Sequence, residues 1–102
     1  MPSLKDVAQY VRSKAAGPFW VTIDIFCGDA ATFERVRKAQ SLSADAVAKL
    51  YGVSADSVRV FEVEPLNVLK ISFPRLRPQG SPHDADSHAG QYFVPLLTAP
   101  VP

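Results

Sequence analysis

Both histidines of this 102-residue chain lie in one short polar segment, together with two aspartates. The spacing His83-Asp84-x-Asp86-x-His88 brings together nitrogen and oxygen donors that zinc, manganese or iron accept. It matches no known metal signature, and ligand types without ligand geometry are weak evidence for a metal site. We therefore expect no metal and no cofactor, with His83 and His88 as weak metal candidates only.

These residues belong to a longer polar loop, from Pro78 to Gln91. A long polar loop in a small domain more often has a function than merely connects two elements. We expect a binding loop in which the principal residues are small or polar: Gly80, Ser81, Asp84, Asp86 and Gln91. Alternatively, its two acids and a histidine could perform acid–base chemistry in a small stand-alone isomerase, lyase or hydratase.

Four basic residues flank the two glycine–proline turns of the chain: Arg12, Lys14, Arg75 and Arg77. If the two turns are neighbours in space, these side chains can clamp a carboxylate or a phosphate, for which arginine supplies bidentate geometry. Solvated surface charge is the competing interpretation, and it is the more frequent one on any domain.

The composition excludes several classes of protein. Hydrophobic residues make up 47% of the chain and charged residues 21%, as in an ordinary folded domain. The net charge of +1 gives no reason to expect a nucleic-acid or membrane partner. The first residues lack the apolar segment of a secretory signal, and a lone cysteine forms no internal disulfide. We expect one cytoplasmic domain over residues 1–102.

Hydrophobic periodicity predicts the elements that must position these residues. Apolar residues recur at helical spacing over residues 4–14, after Ser3 and Asp6, which resemble a capping box. Alternation of apolar and polar residues over 19–27 predicts the clearest strand of the chain. Cys27, at its end, is expected to be a buried structural thiol, because buried cysteines are usually inert.

Two further helices are predicted from their caps. Asp29 can cap a helix over residues 30–40, and Ser43 can cap a third helix that ends at Gly52. Three glycines at element ends or tight turns are expected to adopt backbone conformations that other residues disfavour: Gly17, Gly52 and Gly80.

Residues 58–64 and 68–73 are predicted to form two strands of a hairpin centred on Leu66. That register places Glu62 opposite Lys70, so that opposite charges share one face and apolar groups share the other. The hairpin is followed from about residue 74 by a proline-rich loop and tail, in which residues 92–97 are a candidate edge strand.

The order helix, strand, helix, helix, strand, strand predicts an α+β, two-layer sandwich whose three- to four-stranded sheet has helices on one face. The helices are expected to cover the face that carries Val21, Ile23, Ile25, Phe61, Val63, Leu69, Ile71 and Phe73. The opposite face is expected to carry Trp20, Asp24, Phe26, Val58, Val60, Glu62, Val68 and Lys70. Such a mixture suits a partner surface or the packing of the tail.

Several segments resemble a known family: Arg12-Ser-Lys-Ala-Ala-Gly-Pro-Phe19, Thr22-Ile-Asp-Ile25, Leu50-Tyr-Gly52, Pro78-Gln-Gly-Ser-Pro82 with Asp84 and Asp86, and Gln91 with Pro95-Leu-Leu97. The chain is similar to the small bacterial domain of unknown function found beside, or fused to, acyclic terpene utilisation AtuA-like proteins. The resemblance implies a ferredoxin-like domain that acts with a larger AtuA-like subunit in the catabolism of carboxylic acids or acyl thioesters.

We therefore expect an accessory subunit or binding domain that is not catalytic alone. Its partner would be the larger AtuA-like subunit, and a small carboxylate or acyl thioester would be its ligand. The alternatives are the stand-alone enzyme described above and a self-associating domain that pairs through Trp20 and Phe26.

Overall fold

The computed structural model of the chain describes residues 2–16, 19–74 and 93–102. Within these ranges the three α-helices are α1 (Leu4–Val7), α2 (Ala30–Lys38) and α3 (Ala44–Tyr51). The four strands are β1 (Tyr10–Ala15), β2 (Trp20–Phe26), β3 (Arg59–Val63) and β4 (Val68–Pro74). Short 3₁₀ helices cover Gln40–Leu42, Ala55–Ser57, Glu64–Leu66 and Val94–Thr98. None of the helices in the described ranges has the length and apolar character needed to cross a membrane.

All four strands form one antiparallel sheet in the order β1-β2-β4-β3. Since β2 and β3 are each antiparallel to β4, they run parallel to each other, and the chain crosses between them through α2 and α3. A crossover with another strand inserted between the two strands it joins is a split β-α-β unit. The predicted α+β class and the four-stranded sheet are thereby confirmed.

The hydrophobic core lies between the helices and one face of this sheet. The two central strands contribute six buried side chains to it: Val21, Ile23, Ile25, Leu69, Ile71 and Phe73. The helical layer adds Leu4, Phe33, Val36, Leu42, Val47 and Ala48. Each large side chain that is fully buried contributes roughly 1.5–3 kcal/mol to folding. This layer therefore supplies most of the stability.

Residues 10–15 form a strand, so the predicted first helix is wrong beyond Val7. Asp6 caps this short helix as predicted, since its Oδ2 accepts from the Ser3 backbone N–H at 3.2 Å and from the Ser3 Oγ at 2.9 Å. Helical spacing cannot exclude a strand here, because Val11 and its alternate neighbours also line one face of an extended chain. Pairing with β2 decides the outcome by satisfying backbone groups along that edge of the sheet.

The β3–β4 hairpin differs by one residue from the predicted register. Val63 lies opposite Val68, and the turn consists of the 3₁₀ helix Glu64–Leu66 followed by Asn67 in the left-handed conformation, with φ 52°. A hairpin centred on Leu66 would need an odd number of residues in its turn. The observed turn has four, so the predicted centre is wrong.

A register slip of one residue exchanges the two faces of a strand. Phe61 and Val63 therefore lie on the face away from the helices, while Val60 and Glu62 lie on the helix side. Val58, which was also expected on the face away from the helices, is buried in the core. The predicted face of each of these five residues was wrong.

The end of the chain, residues 93–102, packs against the N-terminal segment. Leu96 of the 3₁₀ helix Val94–Thr98 is fully buried. The Leu4 N–H donates to the Ala99 carbonyl, and the Val101 N–H donates to the Pro2 carbonyl, each at 2.8 Å. The predicted edge strand over 92–97 is thus replaced by a helical turn, consistent with a proline that cannot donate to a strand ladder.

The predicted caps are confirmed. The Thr32 N–H donates to Asp29 Oδ1 at 2.7 Å, and the Ala46 N–H donates to Ser43 Oγ at 3.3 Å. Gly52 follows α3 in the left-handed conformation with φ 70°, as predicted. Gly17 and Gly80 lie outside the described residues.

Candidate functional site

The helices of the described residues all pack on one face of the sheet and leave its second face uncovered. We call this the open face, and it consists of the strand side chains that alternate with the core residues. They are Tyr10, Arg12 and Lys14 of β1; Trp20, Thr22, Asp24 and Phe26 of β2; Arg59, Phe61 and Val63 of β3; and Val68, Lys70, Ser72 and Pro74 of β4. The set combines aromatic, cationic and hydroxyl side chains, the groups that contact ligands and partners.

Asp24 lies near the middle of the open face and is only 3% exposed. Its Oδ2 accepts a hydrogen bond from Arg12 Nε at 3.3 Å, and its Oδ1 is 3.8 Å from Lys70 Nζ. Oδ1 has no hydrogen-bond partner among the described residues. A buried carboxylate is costly unless charges compensate it. The two flanking cations provide that compensation, which organises the centre of the face.

Arg12 is held in place from two sides. Besides its bond to Asp24, its guanidinium carbon is 5.2 Å from the centroid of the Phe26 ring. That distance is within the range of a cation–π contact. The Phe26 ring also meets Tyr10, with ring centroids 5.6 Å apart. Arg12 therefore acts as a structural cation of the face.

Of the predicted anion clamp, only Arg12 and Lys14 belong to the described residues. They lie on the same side of β1, two positions apart, and not at the exit of a helix as predicted. Lys14 is exposed and forms no ion pair with a described residue. Arg75 and Arg77 lie outside the described ranges, so the clamp as a whole stays a prediction.

A cleft of about 310 Å³ opens beyond Asp24, toward the end of the face where β2 begins. It is lined by Ala16, Trp20, Thr22, Arg59, Phe61 and Ser72. The Thr22 and Ser72 hydroxyl oxygens are 3.2 Å apart, and either can be the donor. Arg59 makes no ion pair with any residue in the described ranges. The cleft thus combines apolar walls, a hydroxyl pair and one available cation.

The predicted binding-loop residues Gly80, Ser81, Asp84, Asp86 and Gln91, and the metal candidates His83 and His88, lie outside the described residues. Pro74, the last described residue before them, pairs with Trp20. The described part of β4 therefore ends next to the cleft-lining Trp20. Elsewhere in the described chain, no group of three histidine, cysteine, aspartate or glutamate side chains could hold a metal ion.

Cys27 has the features of a structural thiol. It is buried at the end of β2, and its Sγ is 3.8 Å from the Ile25 carbonyl oxygen. Burial, with a smaller contribution from the Asp29 charge, raises the pKa of the thiol to about 11. The thiol is therefore protonated at neutral pH, and a protonated thiol is a poor nucleophile.

Sequence reasoning missed the cleft. The alternation along β2 already places Trp20 and Thr22 on one face, so two of the six lining residues were detectable. Arg59 and Phe61 join them only in the observed register of β3. The signal that was overlooked is the turn, where Asn67 tolerates the left-handed conformation and so permits a four-residue connection.

The chain matches a known protein family. A family model described as a domain of unknown function (DUF4387) matches residues 4–100, a span that contains the whole sheet and all three α-helices. No curated protein and no solved structure matches the chain.

Proposed function

The chain belongs to the DUF4387 family of domains of unknown function, and we propose that it is an accessory binding domain whose open face docks on a larger, AtuA-like subunit. The observation that carries this proposal is a sheet face with exposed aromatic and cationic side chains, which none of the helices in the described part of the chain covers. The AtuA-like identity of the partner, and its chemistry on carboxylic acids or acyl thioesters, rest on the sequence resemblance described above.

The aromatic side chains of the open face have the composition of an interface. Tyr10 and Phe61 are 54% and 47% exposed, while Trp20 and Phe26 are partly buried beside them. Aromatic residues and arginine are enriched in protein interfaces, and they contribute much of the binding energy there. A partner that covers these rings would remove a substantial apolar area from water.

The charge of the open face favours an acidic partner over a second copy of the chain. The strand side chains of this face include four cations, Arg12, Lys14, Arg59 and Lys70, against the single carboxylate of Asp24. Two such faces brought together would repel, and like charges across an interface suppress association. A partner with carboxylates around an apolar patch would instead be complementary.

We also propose the ferredoxin-like description of the fold. It is supported by the split β-α-β unit and by the single helical layer on a four-stranded antiparallel sheet. The described element order differs from the usual β-α-β-β-α-β order, since β1 precedes the crossover and pairs with its first strand. The cytoplasmic location remains a prediction, as does the stand-alone enzyme, whose candidate residues lie outside the described ranges.

The test is co-expression of this chain with an AtuA-like subunit from the same organism, followed by affinity capture and light scattering. Phe61→Ser should weaken capture at least about tenfold, because hot-spot side chains dominate interface affinity. Leu50→Ser is its matched control, since Leu50 is 48% exposed and belongs to the helical layer. It should leave capture unchanged.

A second pair tests the charge argument. Lys14→Glu on the open face should reduce capture and its sensitivity to salt, while Lys49→Glu on α3 should not. Equal effects within either pair would contradict docking through the open face. A stable homodimer that ignores the AtuA-like subunit would support self-association instead.

A further inference from the structure

We infer that the cleft between Trp20 and Arg59 binds a small molecule with one carboxylate and an apolar body. This goes beyond docking on a partner protein, because it assigns a small ligand to a cleft within the open face. The described lining residues of the cleft are Ala16, Trp20, Thr22, Arg59, Phe61 and Ser72.

Arg59 and the hydroxyl pair of Thr22 and Ser72 supply the groups that would bind the carboxylate. Arg59 lines the cleft and forms no ion pair in the described chain, unlike Arg12 and Arg37. Thr22 is buried, and its hydroxyl is 3.2 Å from that of Ser72. One of the two O–H groups serves the bond between them, which leaves the other as a donor for a ligand oxygen. Arginine and a hydroxyl are donors suited to a carboxylate.

The walls of the cleft supply the contacts for the apolar body of the ligand. Trp20, Phe61 and Ala16 contribute two aromatic rings and a methyl group. Ligand pockets are mostly apolar with a few placed polar groups, and their volumes begin at about 300 Å³. A cleft of about 310 Å³ therefore suits a small ligand. One cation among apolar walls favours a single negative charge over a phosphate, which carries nearly two near neutral pH.

The experiment uses the full chain and hexanoate, which does not absorb where tryptophan is excited. Trp20 is the single tryptophan of the protein, so intrinsic fluorescence reports on the cleft directly. We expect a saturable change in fluorescence with a midpoint on the order of 1 mM, typical of a small ligand with few contacts. Amide resonances of Thr22 and Ser72 should shift with the same midpoint. Hexanamide, the neutral isostere, should bind at least about tenfold more weakly.

Three variants locate the anion contact. Arg59→Gln should weaken hexanoate binding at least about tenfold. Arg59→Lys should recover part of the loss, since lysine keeps the positive charge but not the bidentate geometry of the guanidinium. Lys49→Gln removes an equal charge from the exposed surface of α3, away from the open face, and it should change the midpoint less than about twofold. A thermal unfolding curve for each variant establishes that the protein is folded.

The inference is overturned if hexanamide binds as well as hexanoate, or if Arg59→Gln and Lys49→Gln weaken binding equally. It is also overturned if neither fluorescence nor the two amide resonances respond to hexanoate. None of these results bears on capture of an AtuA-like subunit, so failure here and failure of the docking proposal are distinguishable.

Discussion

The two faces of the sheet are formed by the same four strands, yet their side chains have different surroundings. On the covered face, the six central side chains of β2 and β4 are almost completely removed from water and contact other apolar groups. On the open face, a buried carboxylate between two cations is surrounded by partly exposed rings. The difference separates two roles: the covered face stabilises the fold, while the open face keeps chemically diverse groups available for binding.

The strongest test of this separation compares one truncation on each face. Ile23→Ala on β2 should lower the free energy of unfolding by about 3–4 kcal/mol, because Ile23 is fully buried and its removal leaves a cavity. Phe61→Ala should cost less than about 1 kcal/mol, since nearly half of that side chain is already in water. Urea denaturation measures both. If Ile23→Ala fails to fold, Ile23→Val should still cost about 1 kcal/mol. Comparable losses of unfolding free energy on the two faces would contradict the assignment of stability to the covered face.

A second test asks how far the open face contributes to stability through its charges. Asp24→Asn should lower the free energy of unfolding by about 1–2 kcal/mol, because the substitution removes a buried ion pair. The loss is limited because Arg12 and Lys70 are 49% and 40% exposed and can be solvated instead. Glu34→Gln on α2, an exposed ion-pair partner, is the control and should change stability little. An increase in stability for Asp24→Asn would show that burying this carboxylate is a net cost.

A third test concerns a position that belongs to neither face. Gly52→Ala should cost about 1 kcal/mol, because φ is 70° there and an added Cβ meets no atom within 4 Å. The penalty therefore comes from the backbone alone. Chemical denaturation of this variant should show a lower midpoint with an unchanged slope. An unchanged or raised midpoint would contradict a left-handed Gly52.

The smallest effect concerns pH. The Thr32 hydrogen bonds to Asp29 hold the pKa of this carboxyl below its usual value. Its stabilising contribution is thus complete above the unfolded-state pKa of about 3.9 and is lost as the pH falls through the lower folded-state pKa. Asp29→Asn keeps a cap but removes this titration. Denaturation midpoints measured from pH 6 down to pH 2 should fall slightly less for Asp29→Asn than for the natural chain. Parallel pH profiles would show that ionisation of Asp29 makes no contribution to the pH dependence of stability.

The predicted hairpin register failed at its charged pair. Centring the hairpin on Leu66 placed Glu62 opposite Lys70. In the structure, Glu62 lies 3.7 Å from Arg37 of α2, and Lys70 lies 3.8 Å from Asp24 of β2. Both partners come from elements distant in sequence, so local pattern cannot identify them. The cleft was missed for the same reason, since Arg59 and Phe61 reach it only in the observed register.

By itself, the sequence determined the parts of this protein that depend on neighbouring residues. The caps at Asp29 and Ser43, the left-handed Gly52 and the alternation along β2 each involve groups within a few positions of one another. The interactions that produce these features can therefore be predicted from a short stretch of sequence.

Only the tertiary structure decided that residues 10–15 form a strand, which register β3 adopts, and which side chains share the open face. Each of these outcomes depends on backbone hydrogen bonds and burial supplied by a segment far away in the chain. A single residue of slip exchanges the covered and open faces of a strand. For that reason, the binding surface of this protein is a property of its assembled sheet.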